Sequence, residues 1–251
     1  MWYTPISGIW QTVWLESVPQ KYIRGIKITP NLEGIKLEID GSEEQYRILI
    51  KSRKDGTEQE LCTSEKSFYI KVQNPKLWTP EDPNLYDLTI EGKQDKIQSY
   101  FGLRTVGIAQ DKKGLPRLLL NGKPYFFNGV LDQGYWPEGI FLPNSENGWE
   151  DDILAMKKLG FNTLRKHIKI ESDFFYEACD RLGMVVFQDF VNNSDYSFFH
   201  DTVLPTLFNC HFDDHNFHKS SESRRIFKEI VTDTIKCLYN FPCVCYYTIF
   251  N

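Results

Sequence analysis

The sequence has 251 residues, of which 41% are hydrophobic and 15% aromatic, so it can form one large domain or two medium domains with substantial cores. Its formal net charge is −5, and the Lys and Arg residues are spread along the chain rather than clustered. This pattern argues against a surface for nucleic acids or anionic membranes and leaves small polar molecules as the expected partners.

Signals for a cellular compartment are sparse in this sequence. No stretch reaches the roughly 18 apolar residues of a membrane span, and residues 1–5 lack the pattern of a signal peptide. The six cysteines show no disulfide framework, which favours free buried thiols. They are Cys62, Cys179, Cys210, Cys237, Cys243 and Cys245. A cytoplasmic location is therefore favoured. If the chain begins inside a longer protein, however, the lack of a signal peptide at residue 1 says nothing about the compartment.

Residues 7–16 alternate aromatic and aliphatic side chains in a pattern that predicts one strand with two hydrophobic faces. Trp10 and Trp14 would lie on one face, with Val13 and Leu15 on the other. Such a strand needs neighbours on both sides. We therefore expect residues 1–17 to be the end of a β-domain whose other strands lie outside this chain.

Residues 18–108 contain short alternating segments separated by turn residues, which predict an antiparallel sandwich of the immunoglobulin type. In residues 35–40 every second side chain is apolar, so one face should be buried and the other wet. The predicted strands cover residues 22–28, 35–40, 46–51, 68–72, 86–91 and 96–101. The Cys, Trp, Cys spacing of antibody domains is missing from them.

Residues 109–251 open with a predicted hairpin around Asn121-Gly122 and then alternate strands with helices. Helices are expected over 149–159, from Ser172 to residue 182, and from Ser220 or Ser221 to about residue 239. Strands are expected at 129–131, 162–168, 184–189 and 241–251. Four such units predict the first half of an eight-stranded (β/α)8 TIM barrel; an open doubly wound sheet is the alternative.

Polar side chains stand where these parallel strands end, and the active sites of barrels gather at that edge. Together they offer donors and acceptors suited to a hydroxyl-rich ligand. The candidate substrate-binding residues are Asp132, Arg165, His167, Asp189, Asn251 and Trp136. Tyr135, Phe141 and Trp149 could add an apolar wall, although for Phe141 and Trp149 a role in packing the loop onto the barrel is favoured.

Each polar candidate also has a structural interpretation. Arg165 and Asp189 could form an ion pair, His167 could be a hydrogen-bonded core histidine, and Asp132 could cap the turn at Gly134. The His-rich loop at 210–218 matches no compact zinc spacing and is interpreted as a solvated loop. That loop therefore predicts no metal site. No nucleotide-binding glycine motif occurs either, so no cofactor is expected.

Several segments in order resemble glycoside hydrolase family 2, the group of β-galactosidases and β-glucuronidases. Residues 7–16 resemble the end of its sugar-binding jelly roll, and 77–86 with 101–105 resemble the last part of its immunoglobulin-like domain. Residues 120–130, 160–165 and 180–183 resemble the first units of its barrel.

The resemblance implies a retaining exo-β-glycosidase. In that family the fourth strand ends in Asn-Glu, where Asn contacts the sugar and Glu is the acid/base; Asn251 matches the Asn. The acid/base and the nucleophile would then lie beyond Asn251, so no catalytic residue is expected in this chain and it should be inactive alone. A non-catalytic carbohydrate-binding or assembly module is the alternative, and the unpaired edges of a half barrel would favour a homo-oligomer.

Two departures from the family pattern leave the sugar open. Better-known members follow the second-strand Arg with Ser-His-Tyr, whereas Lys166-His167-Ile168 stands here, and their third strand ends in Asp-Glu where this chain has Gln188-Asp189.

Overall fold

The computed structural model describes residues 7–9, 11, 13–145, 147–191, 198–208 and 220–249. The sandwich strands are β1 (Ile23–Pro30), β2 (Gly34–Gly41), β3 (Tyr46–Ser52), β4 (Glu58–Thr63), β5 (Ser67–Lys71), β6 (Tyr86–Glu91) and β7 (Lys96–Phe101). The later strands are β8 (Val106–Gln110), β9 (Pro116–Leu120), β10 (Lys123–Pro124), β11 (Gly129–Asp132), β12 (Thr163–Lys166), β13 (Val185–Asp189) and β14 (Val244–Thr248). The helices are α1 (Asn147–Lys158), α2 (Asp173–Leu182), α3 (Leu204–Phe208), which follows a π-helical turn at Phe199–Val203, and α4 (Ser221–Leu238). None of the helices in these described ranges is long and apolar enough to cross a membrane.

Two antiparallel sheets, β1-β2-β5 and β4-β3-β6-β7, pack face to face and confirm the predicted sandwich. Ile35 and Leu37 from the first sheet meet Ile48 and Ile90 from the second, and all four are fully buried. Burial of each such side chain contributes about 1.5–3 kcal/mol, so the alternating pattern of the sequence supplies the driving force for this layer. Strand β4 was not predicted, because it is an edge strand whose positions alternate only between exposed and half-buried.

The predicted strand at residues 7–16 is wrong for the part of that segment that the structure describes. Residues 7–9, 11 and 13–16 form no strand, and the side chains of Val13, Trp14 and Leu15 are exposed. The backbone groups of a strand need a partner strand, and no described strand pairs with this segment.

The Asn121-Gly122 turn joins β9 to β10, and both residues have positive φ, 53° and 74°, as a type I′ turn requires. The second arm of this hairpin is short, only Lys123–Pro124, and β8 adds a strand on the other side of β9. The Tyr246 hydroxyl donates to the carbonyl oxygens of Gly107 and Leu119 at 2.8 and 3.0 Å. This three-stranded unit is thereby attached to the parallel sheet.

Strands β11, β12, β13 and β14 form a parallel sheet in chain order. Two of its helix ends are those that the sequence predicts: Ser172 Oγ accepts from the Phe174 backbone N–H, and Gly183 ends α2 with φ 75°. Ser220 likewise caps α4 through the backbone N–H of Ser223 at 2.9 Å. The order fits both the half barrel and the open sheet, and the described residues form no closed barrel.

Asp180 joins the sandwich to the parallel sheet. Its carboxylate accepts from the Tyr100 hydroxyl at 2.8 Å and from the Cys243 backbone N–H at 2.5 Å, while its carbonyl oxygen accepts from the Trp78 indole at 2.8 Å. Burial, opposed by these hydrogen bonds, raises the pKa of the Asp180 carboxyl to about 7.

Among the described cysteines Cys179, Cys243 and Cys245 are buried free thiols, as expected, whereas Cys62 and Cys237 are exposed free thiols.

Candidate functional site

Arg165, His167 and Asp189 meet at the carboxyl ends of β12 and β13. Arg165 is paired with Phe187 in the register of the two strands, and Asp189 lies two residues further along, so both side chains project from the same face. The Arg165 Nε lies 3.0 and 3.1 Å from the two carboxylate oxygens of Asp189. His167 Nδ1 lies 3.4 Å from Asp189 Oδ2, so the carboxylate orients both the Arg165 guanidinium and the His167 ring.

The three side chains differ in their access to solvent. The Asp189 side chain is 1% exposed and that of His167 is 11% exposed, whereas that of Arg165 is 38% exposed. A buried carboxylate is therefore covered by a guanidinium that a ligand can reach. A guanidinium held in this way can donate to sugar hydroxyls in fixed directions.

Asp132 does not join this cluster. Its Oδ1 accepts from the Gly134 backbone N–H at 2.8 Å, which confirms the turn-capping interpretation, and its Oδ2 lies 3.0 Å from Lys166 Nζ. Lys166 alternates with Arg165 along β12, so it projects from the opposite face of the sheet. The expected convergence of two carboxylates on one cleft is wrong, because Asp132 follows Lys166 to that opposite face.

A buried charge cluster of Lys166, Lys169 and Glu171 was missed by the sequence interpretation. Glu171 Oε1 lies 2.5 Å from Lys166 Nζ and 2.9 Å from Lys169 Nζ, and the Glu171 side chain is 0% exposed. The Lys169 ammonium also donates to the carbonyl oxygens of Gly134 and Phe141 at 2.6 and 2.5 Å. Burial, partly opposed by Glu171, lowers the pKa of Lys169. Three charged residues within the six positions that begin at the last residue of β12 were the available signal.

The backbone turns sharply where β12 leads into this cluster. Ile168 has φ 48°, an unfavourable region for a β-branched residue that costs about 1–3 kcal/mol. The His167 N–H donates to the Asp132 carbonyl oxygen at 2.9 Å, and the Lys169 N–H donates to the His167 carbonyl oxygen at 2.6 Å. These contacts place His167 beside Asp189 before the turn and Lys169 beside Glu171 after it.

A cavity of about 570 Å³, here called the rim cavity, opens beside this turn. His167 and Lys169 line it together with Gln133, Tyr135 and Phe141 from the loop after β11. The rings of Tyr135 and Phe141 lie 5.3 Å apart and form an aromatic wall. A volume of this size lies within the range of about 300–1,000 Å³ that is typical of small-molecule sites.

The remaining candidates lie elsewhere. Trp136 lines a second cavity next to Trp149 and is not among the rim-cavity residues. The Trp149 ring is buried in the core, as the packing interpretation expects. Asn251 and the loop at 210–218 lie outside the described residues. In the part of the chain that is described, no group of His, Cys, Asp and Glu could hold a metal ion.

A β-sandwich followed by a parallel α/β sheet with a polar cluster at its strand ends defines a modular protein. The model of the glycosyl hydrolases family 2 matches residues 21–104. This stretch of the chain belongs to this family.

Curated relatives agree with that assignment. A β-galactosidase of Pseudoalteromonas haloplanktis is 29% identical over 218 residues, which cover 74% of this chain and 20% of that protein. A β-galactosidase of Vibrio vulnificus strain YJ016 is 30% identical over 217 residues, with the same coverage. The chain thus spans about a fifth of the length of these relatives.

Solved structures show the same fold. A β-D-glucuronidase of Dictyoglomus thermophilum superposes with a TM-score of 0.73 at 22% identity, over 93% of this chain and 39% of that one. A β-glucuronidase of Ruminococcus gnavus gives a TM-score of 0.76 at 18% identity, over 93% and 39% of the two chains.

Proposed function

We propose that this chain is part of a retaining exo-β-glycosidase of the β-galactosidase or β-glucuronidase kind. The observation that carries the proposal is the Arg165–Asp189–His167 cluster beside the rim cavity, in a chain of a glycosyl hydrolase family. In this proposal Arg165 and His167 bind sugar hydroxyls and Asp189 positions them. Asp132, Trp136 and Asn251 remain proposed contributors, with Asp132 acting through the turn that it caps.

The proposed division of the chain rests on the family resemblance and, after residue 17, also on the strand pattern. Residues 1–17 are the end of a jelly-roll domain, residues 18–108 are an immunoglobulin-like domain, and residues 109–251 are the first half of a TIM barrel. The consecutive parallel order of β11 to β14 supports the barrel, because each strand of a barrel pairs with the next one in the chain.

The catalytic carboxylates are proposed to lie outside residues 1–251. Retaining hydrolysis needs two carboxyl groups about 5–5.5 Å apart, one to protonate the leaving oxygen and one to attack the anomeric carbon. Asp132 and Asp189 cannot flank one bond in this way, because they face opposite sides of the sheet and bind Lys166 and Arg165 respectively. The 251-residue chain is therefore proposed to bind sugar without hydrolysing it.

The test compares the full-length gene product with the 251-residue chain on nitrophenyl β-galactoside and β-glucuronide. We expect the full-length protein to release nitrophenol with retention of anomeric configuration and the shorter chain to release none. Turnover by the shorter chain at the full-length rate would contradict the placement of the catalytic groups. A full-length protein that binds sugars but hydrolyses no glycoside would support the non-catalytic module instead.

The role of the cluster is tested in the full-length protein with the double variant Arg165→Ala/Asp189→Asn, which removes the guanidinium without leaving a buried carboxylate unpaired. We expect kcat/KM to fall about 10- to 100-fold, since the charged hydrogen bonds to the sugar are lost. Unchanged kcat/KM in a folded variant would exclude the cluster from the substrate site.

A further inference from the structure

A second cavity of about 330 Å³, here called the inner cavity, lies between the ends of β11 and β12 and helix α1. Trp136, Trp149, Asp152 and Lys166 line it, with Phe175 from α2. Its volume is at the lower end of the range of small-molecule sites, and it exceeds by several-fold the roughly 30 Å³ that one water occupies in the liquid. Neither Arg165 nor Asp189 lines it.

Two indole N–H groups make this cavity unusual. The Nε1 atoms of Trp136 and Trp149 are both buried, and neither has a hydrogen-bond partner among the described residues. Trp149 as a whole is 6% exposed, so its N–H cannot turn to bulk water. An indole N–H can only donate, and a buried donor without an acceptor lowers stability. Acceptor atoms of a molecule in the cavity would satisfy both N–H groups.

The charges around the cavity restrict what that occupant can be. The Lys166 ammonium is already bonded to Asp132 and Glu171 and packs over the Phe175 ring at 4.7 Å, so it is committed to the protein. Asp152 also lines the cavity; the residue as a whole is exposed, but partial burial of its carboxyl, followed by the charge of Asp132, raises the pKa of that carboxyl. The negative charges of the Asp132 and Asp152 carboxylates disfavour an anionic ligand. A simple cation has no acceptor atom for the two indole N–H groups.

We propose that the inner cavity binds one small neutral polyhydroxy molecule, of the size of a monosaccharide. Hydroxyl oxygens of the ligand accept from the indoles of Trp136 and Trp149, and a ligand hydroxyl donates to the Asp152 carboxylate. The site is separate from the rim cavity and goes beyond the proposed glycosidase activity. Since the loop 133–141 contributes residues to both cavities, an occupant here would also brace the wall of the rim cavity.

The test is NMR titration of the 15N-labelled 251-residue chain, followed through its indole N–H resonances and assigned with single Trp→Phe variants. Glucose and galactose serve as neutral probes, and glucuronate serves as the anionic probe. We expect the resonances of Trp136 and Trp149 to shift and saturate with a neutral sugar, with at least tenfold weaker binding of glucuronate. No saturation with either neutral sugar would show that water alone fills the cavity and would overturn the proposal.

Three variants locate the binding. Trp149→Phe keeps an aromatic ring but removes the N–H, and we expect it to weaken the binding reported by Trp136 about tenfold. Asp152→Asn should weaken binding similarly, whereas Asp151→Asn, on the same turn of α1 but not lining the cavity, should leave it unchanged. Because Asp152 is exposed, its variant remains informative if Trp149→Phe does not fold.

Arg165→Ala distinguishes the two cavities in the same titration. Binding at the inner cavity should persist in this variant. Loss of the indole shifts in folded Arg165→Ala would show that they report a sugar bound at the strand-end cluster, which would overturn the inner-cavity proposal while supporting the proposed function.

Discussion

The Nε–H of Arg165 bridges both carboxylate oxygens of Asp189, at 3.0 and 3.1 Å. The two partners are unequally buried, since the Arg165 side chain is 38% exposed and that of Asp189 is 1% exposed. An exposed cation contributes little through charge attraction alone, but it spares a buried carboxylate from lacking a partner. The ion pair can thus serve stability and ligand binding together.

Arg165→Ala is expected to lower the free energy of unfolding of the 251-residue chain by about 1–3 kcal/mol, because Asp189 stays buried and, among the described side chains, keeps only His167 close to its Oδ2. Adding Asp189→Asn should recover most of that loss, since the amide carries no charge. Urea unfolding of the two single variants and the double variant measures the coupling. Strictly additive losses would show that the two side chains do not stabilise each other.

Lys169→Met is expected to loosen the loop at residues 133–141. The Lys169 ammonium donates to the carbonyl oxygens of Gly134 and Phe141, so its removal frees both ends of the loop and leaves Glu171 with one cationic partner fewer. Amide hydrogen exchange should become faster in this loop, and stability should fall by about 3–5 kcal/mol. Lys158→Met, at an exposed position at the end of α1, is the matched control and should change neither quantity.

The elements that could be predicted are those whose signals are local. The alternation in residues 35–40 predicted β2, and the Ser172 and Gly183 caps predicted both ends of α2, because each depends on neighbouring residues. Strand β4 was not predicted, because it is stabilised by pairing with β3 rather than by a buried face of its own. The segment at 7–16 is the opposite case. Its alternation predicted a strand, but its described residues form none, because no described strand pairs with them.

The candidate site was predictable only in part for a similar reason. Arg165 and His167 stand two residues apart, a local spacing that favours one shared face, and the structure brings both to Asp189. The position of Asp132 at a strand end did not reveal its face, which depends on a contact with Lys166, 34 residues away. The hydrogen bonds of Lys169 to the loop at residues 133–141 are likewise long-range, so no periodic pattern in the sequence predicts them.

Asp180→Asn is expected to change how stability depends on pH. The folded carboxyl has a pKa of about 7 and the unfolded one about 3.8, so the folded state binds more protons between these values. The free energy of unfolding therefore falls as pH rises from about 4 to 7, on the order of 4 kcal/mol in all, and this contribution is constant above pH 7. The amide introduced by the substitution can accept from the Cys243 N–H and donate to Tyr100, so the variant keeps the contacts without the titration.

Thermal unfolding of both proteins between pH 4 and 8 measures this effect. The stability of Asp180→Asn relative to the unmodified chain should increase with pH up to about 7 and then level off. A difference that is independent of pH would show that Asp180 titrates alike in the folded and unfolded chains.

Gly183→Ala is expected to destabilise the chain more than Gly160→Ala, although both glycines follow helices and have positive φ, 75° and 92°. At Gly160 an added Cβ meets nothing within 4 Å, so only the backbone strain of about 1 kcal/mol is incurred. At Gly183 the Cβ would overlap the carbonyl oxygen of Pro80, where α2 ends against the sandwich. The melting temperatures of the two variants should differ by several degrees. Equal losses would mean that the segment around Pro80 moves aside at no cost and that the junction there is not closely packed.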